Sequence, residues 1–253
     1  MKRFNSLLVD KNCFLDQSNW IRVLKKLDAL WIHDGNPENP HAELTSGKHS
    51  NGFFNATKVT ENPYVFSKVC DDIISSFEIA HGRNGENYDS LNRNISQVIG
   101  SAMGAIPVAY EFASKLNAKF AFTEPSVSEN GEKKMVLKRF KPFINNNHGI
   151  IIVEDVITTG GTTLKTIEEI RKICNEEKDL NRSNIKQTNI IAPYILTIVN
   201  RSGKTKLDGM EIFSLIDKEM PIWEPEECPL CKQGSKTLRP KDNWDELTGG
   251  KKN

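Results

Sequence analysis

Glu154 and Asp155 are neighbouring carboxylates set between the apolar run Ile150 to Val153 and the small-residue run Thr158-Thr159-Gly160-Gly161-Thr162-Thr163. Adjacent carboxylates at the end of a strand can accept hydrogen bonds from two neighbouring hydroxyls. A loop of threonines and glycines lets successive backbone N–H groups close on an anion, because little Cβ bulk stands in the way. A ribose carrying a 5-phosphate offers both kinds of partner. The segment has no P-loop lysine and no G-x-G-x-x-G spacing, so neither common nucleotide-binding motif fits it.

These groups need a strand before them and a helix after them. Ile150 to Val153 read as an interior strand of a parallel sheet, whose apolar run is continuous because both faces are covered. Leu164, Ile167, Ile170, Ile173 and Cys174 follow at helical spacing, so the loop opens a helix whose N-terminal end also favours phosphate. Elsewhere the apolar periodicity predicts helices over Gln17 to Trp31, Val65 to Phe77 and Ala105 to Leu116. It predicts strands over Ile95 to Gly100, Lys119 to Thr123 and within Gln187 to Val199. Ala42 to Lys58 reads as a turn-rich, hairpin-like stretch, His81 to Asn94 as a surface loop, and Ser126 to Lys134 as a mobile loop over the site. Strands that alternate with helices predict a right-handed, mostly parallel α/β sheet.

The run from Val156 through Ile157, Thr158, Thr159, Gly160 and Gly161 to Thr162 resembles the 5-phosphoribosyl-1-pyrophosphate (PRPP) signature of type I phosphoribosyltransferases. Further patches, from about Leu44 to Lys241, resemble the orotate phosphoribosyltransferases. Leu44 to Ser50, followed by Gly52-Phe53-Phe54-Asn55-Ala56, is similar to that family's S-G-x-x-S-x-x-F-F-N-A segment. The resemblance gives Lys48 a role at the pyrophosphate and base, and places Phe53 and Phe54 beside the flat orotate ring. Gly100-Ser101-Ala102-Met103-Gly104-Ala105-Ile106-Pro107 resembles the pyrophosphate loop, with Gly104 where many of these enzymes carry lysine. Ser101 to Gly104 join Val156 to Thr162 as implied PRPP contacts.

Glu124 and the segment Lys133 to Phe140 resemble a short basic loop that closes over the leaving pyrophosphate, often from the neighbouring subunit. Lys133, Lys134, Lys138 and Arg139 are its cations, with Lys138 and Arg139 taken as the catalytic candidates beside Glu154 and Asp155. Ile198 to Gly203 resembles V-D-R-S-G, which implies that Arg201 meets the orotate, with Asn200 in place of the usual aspartate. Trp223 to Gly234 is similar to the Y-x-P-E-x-C-P-L-C-x-x-G tail of the same subset.

The implied fold is type I phosphoribosyltransferase-like: a central sheet flanked by helices under a small N-terminal hood. Its parts are a hood segment over 1–62, a core over 63–220 and a tail over 221–253. The implied reaction takes orotate and PRPP to orotidine 5-phosphate and pyrophosphate, by positioning and electrostatics rather than by a protein nucleophile. Mg²⁺ accompanies PRPP as cofactor, held mainly by PRPP, with Glu154 and Asp155 as its candidate protein contacts. No dedicated metal site in the protein is expected. A homodimer sharing its active sites is the implied assembly. The alternatives are a phosphoribosyltransferase for another base, or a PRPP-binding regulator without turnover.

Composition agrees with an enzyme of small molecules. In 253 residues the net charge is +1, so the basic excess of a general nucleic-acid binder is lacking. No apolar run reaches membrane-spanning length, and Met1 to Asn5 lacks a signal-peptide apolar core, so a cytoplasmic protein is expected. Cys13, Cys70 and Cys174 lie scattered in apolar contexts, which suits a reducing compartment. Cys228-Pro229-Leu230-Cys231 is the exception, because a C-x-x-C pair can ligate zinc or cycle with a disulfide. No second pair of ligand-type residues follows it, so it reads as part of a structural tail.

Overall fold

The computed structural model of the protein describes residues 15–82, 95–143, 149–179 and 191–249. Helix α1 (Gln17–Lys26) is capped by the Asp16 side chain, which accepts from the Asn19 N–H, and buries Trp20, Val23 and Leu24. The expected helix to Trp31 ends early. Asp28 adopts φ +55, and Leu30–Ile32 forms strand β1. Strands β2 (His41–Glu43), β3 (His49–Ser50) and β4 (Gly52–Phe54) follow, then the short helix α2 (Ala56–Thr60) and the long helix α3 (Pro63–Gly82). Of the loop expected over His81 to Asn94, the first two residues end α3 and the rest lie outside the described residues.

The core alternates as the sequence requires: β5 (Ile95–Ser101), α4 (Ala105–Lys115), β6 (Lys119–Val127), β7 (Lys133–Val136), β8 (Gly149–Ile157), α5 (Gly161–Asp179), β9 (Ile191–Asn200), β10 (Lys206–Leu207) and β11 (Met210–Asp217). These strands form a seven-stranded sheet in the order β10-β11-β9-β8-β5-β6-β7. The inner pairings are parallel, and only the edge strands β10 and β7 run antiparallel to their neighbours.

Both faces of the sheet are covered. Ile151 and Val153 pack on the side of Trp20, Val69, Ile73 and Phe112, which places α1, α3 and α4 there. Ile150 and Ile152 point the other way, to Ile167 and Ile170 of α5. The continuous apolar run of β8 is thus an alternation between two buried layers.

Two stretches differ from expectation. Strand β8 runs past Val153 through the acidic pair to Ile157, so Glu154 and Asp155 sit within a strand end. Ser126 to Lys134, expected as a mobile loop, is instead the tip of the β6–β7 hairpin, closed by Gly131 N–H donating to Ser128 O at 2.9 Å. The Asn130-Gly131 pair supplies its turn, with Gly131 at φ +82.

The C-terminal segment folds back onto strands β2 and β3. Strands β12 (Ile222–Trp223) and β13 (Thr237–Leu238) flank β3 and β2 in a four-stranded sheet, ordered β12-β3-β2-β13. Between them lie a 3-10 turn (Pro225–Glu227) and helix α6 (Pro229–Lys232), and helix α7 (Trp244–Leu247) ends the described chain. Strands β1 and β4 pair separately. Among the described residues no helix is long and apolar enough to cross a membrane.

Candidate active site

The C-terminal ends of β5 and β8 open onto a cavity of about 230 Å³. One wall is Ser101, Ala102 and Gly104, where β5 gives way to α4. The other is Val156 to Thr163, where β8 gives way to α5, and Glu154 and Asp155 complete the lining. A crevice outside the carboxyl ends of parallel strands is where open α/β sheets place their ligands. Gly160 holds φ +83, a value that favours glycine, and turns the loop into the first turn of α5. The N-terminal end of α5, whose first N–H groups have no partner within the helix, and the helix dipole make the loop attractive to an anion.

Close approach explains the glycines of the opposite wall. A Cβ on Gly100 would meet the Ala105 backbone oxygen, so only glycine lets α4 start this near β5. A Cβ on Gly104 would overlap the Asp155 carboxylate. The Ala102–Met103 peptide is cis, and the Met103 side chain is 79% exposed, outside the cavity lining.

The two acids differ. Glu154 is buried, and its Oε1 accepts from Ser101 Oγ at 2.6 Å and Thr163 Oγ1 at 3.0 Å. Thr166 Oγ1 continues the chain of hydroxyls, 3.0 Å from Ser101 Oγ and 2.8 Å from Thr123 Oγ1. Burial pushes the Glu154 carboxyl up to about 7, and the Asp155 charge adds to this. The Ser101 and Thr163 hydroxyls act in the opposite direction. Asp155 is also raised by burial, against the Val156 N–H that favours its ionised form. This hydroxyl network spans three strands and a helix, so sequence spacing does not reveal it: Ser101 is expected only as a PRPP contact and Thr163 only as part of the anion loop, and Thr123 and Thr166 are not singled out.

The residues expected around the base divide into groups. Arg201, just past β9, is buried, and its NH2 donates to Ser50 Oγ at 2.6 Å and to Met220 O at 3.1 Å. Its buried Nε–H has no partner among the described residues. Burial lowers its pKa to about 10, which leaves the guanidinium charged at neutral pH. Asn200 sets the preceding turn: its Nδ2 donates to Lys204 O at 2.8 Å and Asp217 Oδ1 at 3.3 Å, while its Oδ1 accepts from Ser202 N–H and Oγ.

Lys48 is half-exposed and pairs with Glu224 at 2.6 Å. Phe54 packs into the main core. Phe53 stands opposite Trp31, meets the Trp244 ring at 6.2 Å, and lines a separate cavity with Glu43 and Arg239. Lys133 and Lys134 are exposed on β7; Lys138 and Arg139 are exposed beyond it, with Arg139 paired to Glu124 at 3.2 Å. None of these four cations lines the phosphate-type cavity of its own chain.

A second cluster joins the C-x-x-C pair to two histidines that sequence spacing did not connect with it. His41 and His49, on β2 and β3, converge with Cys228 and Cys231. The reading of Cys228 and Cys231 as a tail without matching ligands is corrected: the second pair of ligand-type side chains precedes the cysteines by about 180 residues instead of following them.

Residues 70–177 match the phosphoribosyl transferase domain, a span that holds both walls of the cavity and the acidic pair. An orotate phosphoribosyltransferase from Desulforamulus reducens is 34% identical over 201 residues, covering 79% of this chain and 87% of that protein. One from Campylobacter jejuni subsp. doylei is 34% identical over 223 residues, covering 85% and 96%. The crystal structure of orotate phosphoribosyltransferase from Aeropyrum pernix aligns with TM-score 0.51 at 22% identity, over 78% of this chain and 92% of that one, and shows a shared fold. With relatives of 34% identity matched over 79% and 85% of its length, the chain belongs to the orotate phosphoribosyltransferase family.

Proposed function

We propose that this protein transfers the 5-phosphoribosyl group of PRPP to orotate. The C1–O bond to pyrophosphate breaks, a bond from C1 to the orotate ring nitrogen forms as that nitrogen gives up its proton to solvent, and orotidine 5-phosphate and pyrophosphate leave. The observation that carries this is one cavity with two anion-type walls, Ser101 to Gly104 and Thr158 to Thr163, joined by Glu154 and Asp155. Two walls suit the two phosphate ends of PRPP, and the acids suit the ribose hydroxyls between them.

The negative charge of orotate at neutral pH sits on its carboxylate, and the proton on the reacting ring nitrogen leaves to solvent, so neither Glu154 nor Asp155 is asked to act as a base. The residues act by holding the ribose and by placing negative charge near C1 as positive charge develops there. Glu154 is poised near neutrality, and cationic character on the ribose favours its ionised, accepting form. Across the hood, the charged Arg201 with its unpaired buried Nε–H suits a carboxylate or ring carbonyl. The oxygen donors of Glu154 and Asp155 fit a hard cation, and Mg²⁺ held with them and with PRPP would supply charge neutralisation at the pyrophosphate. Lys138 and Arg139 lie outside their own chain's cavity, and the resemblance of their segment to a loop that closes from the neighbouring subunit supports a homodimer in which the partner chain donates them.

The test is a spectrophotometric assay of orotate consumption with PRPP and Mg²⁺, run beside uracil, hypoxanthine and nicotinate. Turnover confined to orotate supports the assignment. Turnover on another base with none on orotate overturns it.

A further inference from the structure

Strands β2 and β3 carry two imidazoles into the interior of the hood, and the tail brings two thiols to meet them. His41 and Cys228 are fully buried, His49 nearly so, and one ligand-type atom from each of the four residues lies within 4.8 Å of the others. His41 Nε2 is 3.4 Å from Cys228 Sγ, 3.5 Å from Cys231 Sγ and 3.3 Å from His49 Nδ1, and Cys231 Sγ is 3.2 Å from His49 Nδ1. We propose that His41, His49, Cys228 and Cys231 form a structural zinc site that clips the C-terminal tail to the hood.

The spacing suits one small ion. Four ligands around a tetrahedral zinc, with Zn–N of about 2.0 Å and Zn–S of about 2.3 Å, stand about 3.3 to 3.8 Å from one another. Four of the six separations in the protein, 3.2 to 3.5 Å, lie at or just below the short end of that range, and all six are within 4.8 Å. Two thiolates and two imidazoles are also a donor set that selects zinc over magnesium or calcium, which prefer oxygen.

The surroundings orient the ligands. Ser235 Oγ donates to Asn39 O at 2.7 Å and therefore accepts from His41 Nδ1–H at 2.8 Å. That bond fixes the tautomer, so His41 Nε2 turns its lone pair into the cluster; supporting bonds of this kind accompany metal-bound histidines. Cys228 and Cys231 are free thiols bracketing the first turn of α6, and Gly234 at φ +88 turns the chain just beyond them. On binding, the two thiols release their protons to solvent and their thiolates balance the dication, so the buried centre is neutral.

The clip has a position that matters. Trp223 pairs with His49 across β12–β3, and Glu224 pairs with Lys48. The neighbouring Ser50 accepts from Arg201. The metal would therefore fix the strand that carries the hood's polar residues, well apart in sequence from the acidic pair.

The test is metal content, independent of activity. Full-length protein, purified without chelator and desalted, is analysed by elemental mass spectrometry, with thiols counted under denaturing conditions. About one zinc per chain is expected, falling at least tenfold in Cys231→Ser and in His49→Gln. Cobalt added to apo-protein should give the visible bands and thiolate charge transfer of a tetrahedral centre, which keeps the proposal testable on wild-type protein if either variant fails to fold. Folded wild-type protein that binds neither zinc nor cobalt, holds Cys228 and Cys231 as a disulfide, or keeps full zinc in both variants would overturn it.

Discussion

The Asp155 carboxylate occupies the space that a side chain on Gly104 would need. The glycine found where many related enzymes place a lysine is therefore matched to the position of the acid beside it. Any residue larger than glycine must push Asp155 out of place. Gly104→Ala should lower kcat by about 10- to 100-fold, the scale of a displacement near 1 Å in a catalytic group, while leaving thermal stability almost unchanged. Steady-state kinetics beside a melting curve check this, and an unaltered kcat would show that Asp155 tolerates the shift.

Glu154 makes stability depend on pH. Its folded pKa of about 7 lies above the ordinary 4.5, so the folded state holds its proton more tightly than the unfolded chain. The resulting stabilisation is complete below pH 4.5 and is lost as pH rises through 7. Glu154→Gln removes this dependence. Between pH 5 and pH 8 the variant should gain on the order of 2 kcal/mol relative to wild type without ligands. Urea unfolding at the two pH values measures it, and parallel losses in both proteins would contradict it.

Asp72 ties the N-terminal helix to the core. Its carboxylate accepts from Trp20 Nε1 at 2.9 Å and from the Leu15 N–H, and it pairs with the buried Lys68 ammonium one turn away. Asp72→Ala strands that ammonium without a counter-charge and should cost about 3 to 5 kcal/mol. Lys68→Met with Asp72→Leu should cost much less, because no charge is left behind. Equal losses in the two proteins, compared by denaturant titration, would argue against a buried ion pair.

Asn200 is matched to Asp217. An aspartate at 200 would set one carboxylate against another and against Lys204 O, where the amide now donates. Asn200→Asp should lose about 1 to 3 kcal/mol at neutral pH, and Asp217→Asn in the same chain should restore most of it. Melting temperatures of the two proteins decide the point.

Much of this was legible before folding. Ile150 to Val153 and the helical spacing of Leu164, Ile167 and Ile170 marked the central strand and its helix, since the strand run is fully buried and Ile167 and Ile170 face it from the helix. The β8 extension to Ile157 was hidden because charged residues interrupt the apolar run, although the backbone pairing with β9 continues. The early end of α1 was hidden because apolar periodicity carries on past Asp28, whose positive φ has no glycine or proline to announce it. In the site, the two walls and the acids follow from local motifs. Phe54 enters the core through the pairing of β4 with β1, while Lys48 on Glu224 and the His41-His49-Cys228-Cys231 cluster depend on how the C-terminal segment returns to β2 and β3, and local spacing carries no such information.

The most direct test of the account is orotate-dependent pyrophosphate release from PRPP, measured for wild type and for the Glu154→Gln, Asp155→Asn double variant, both first confirmed folded by circular dichroism. The double variant should lose at least about 100-fold in kcat/KM while keeping its fold. Equal rates in the two proteins would contradict it, because the acidic pair would then have no part in handling the ribose.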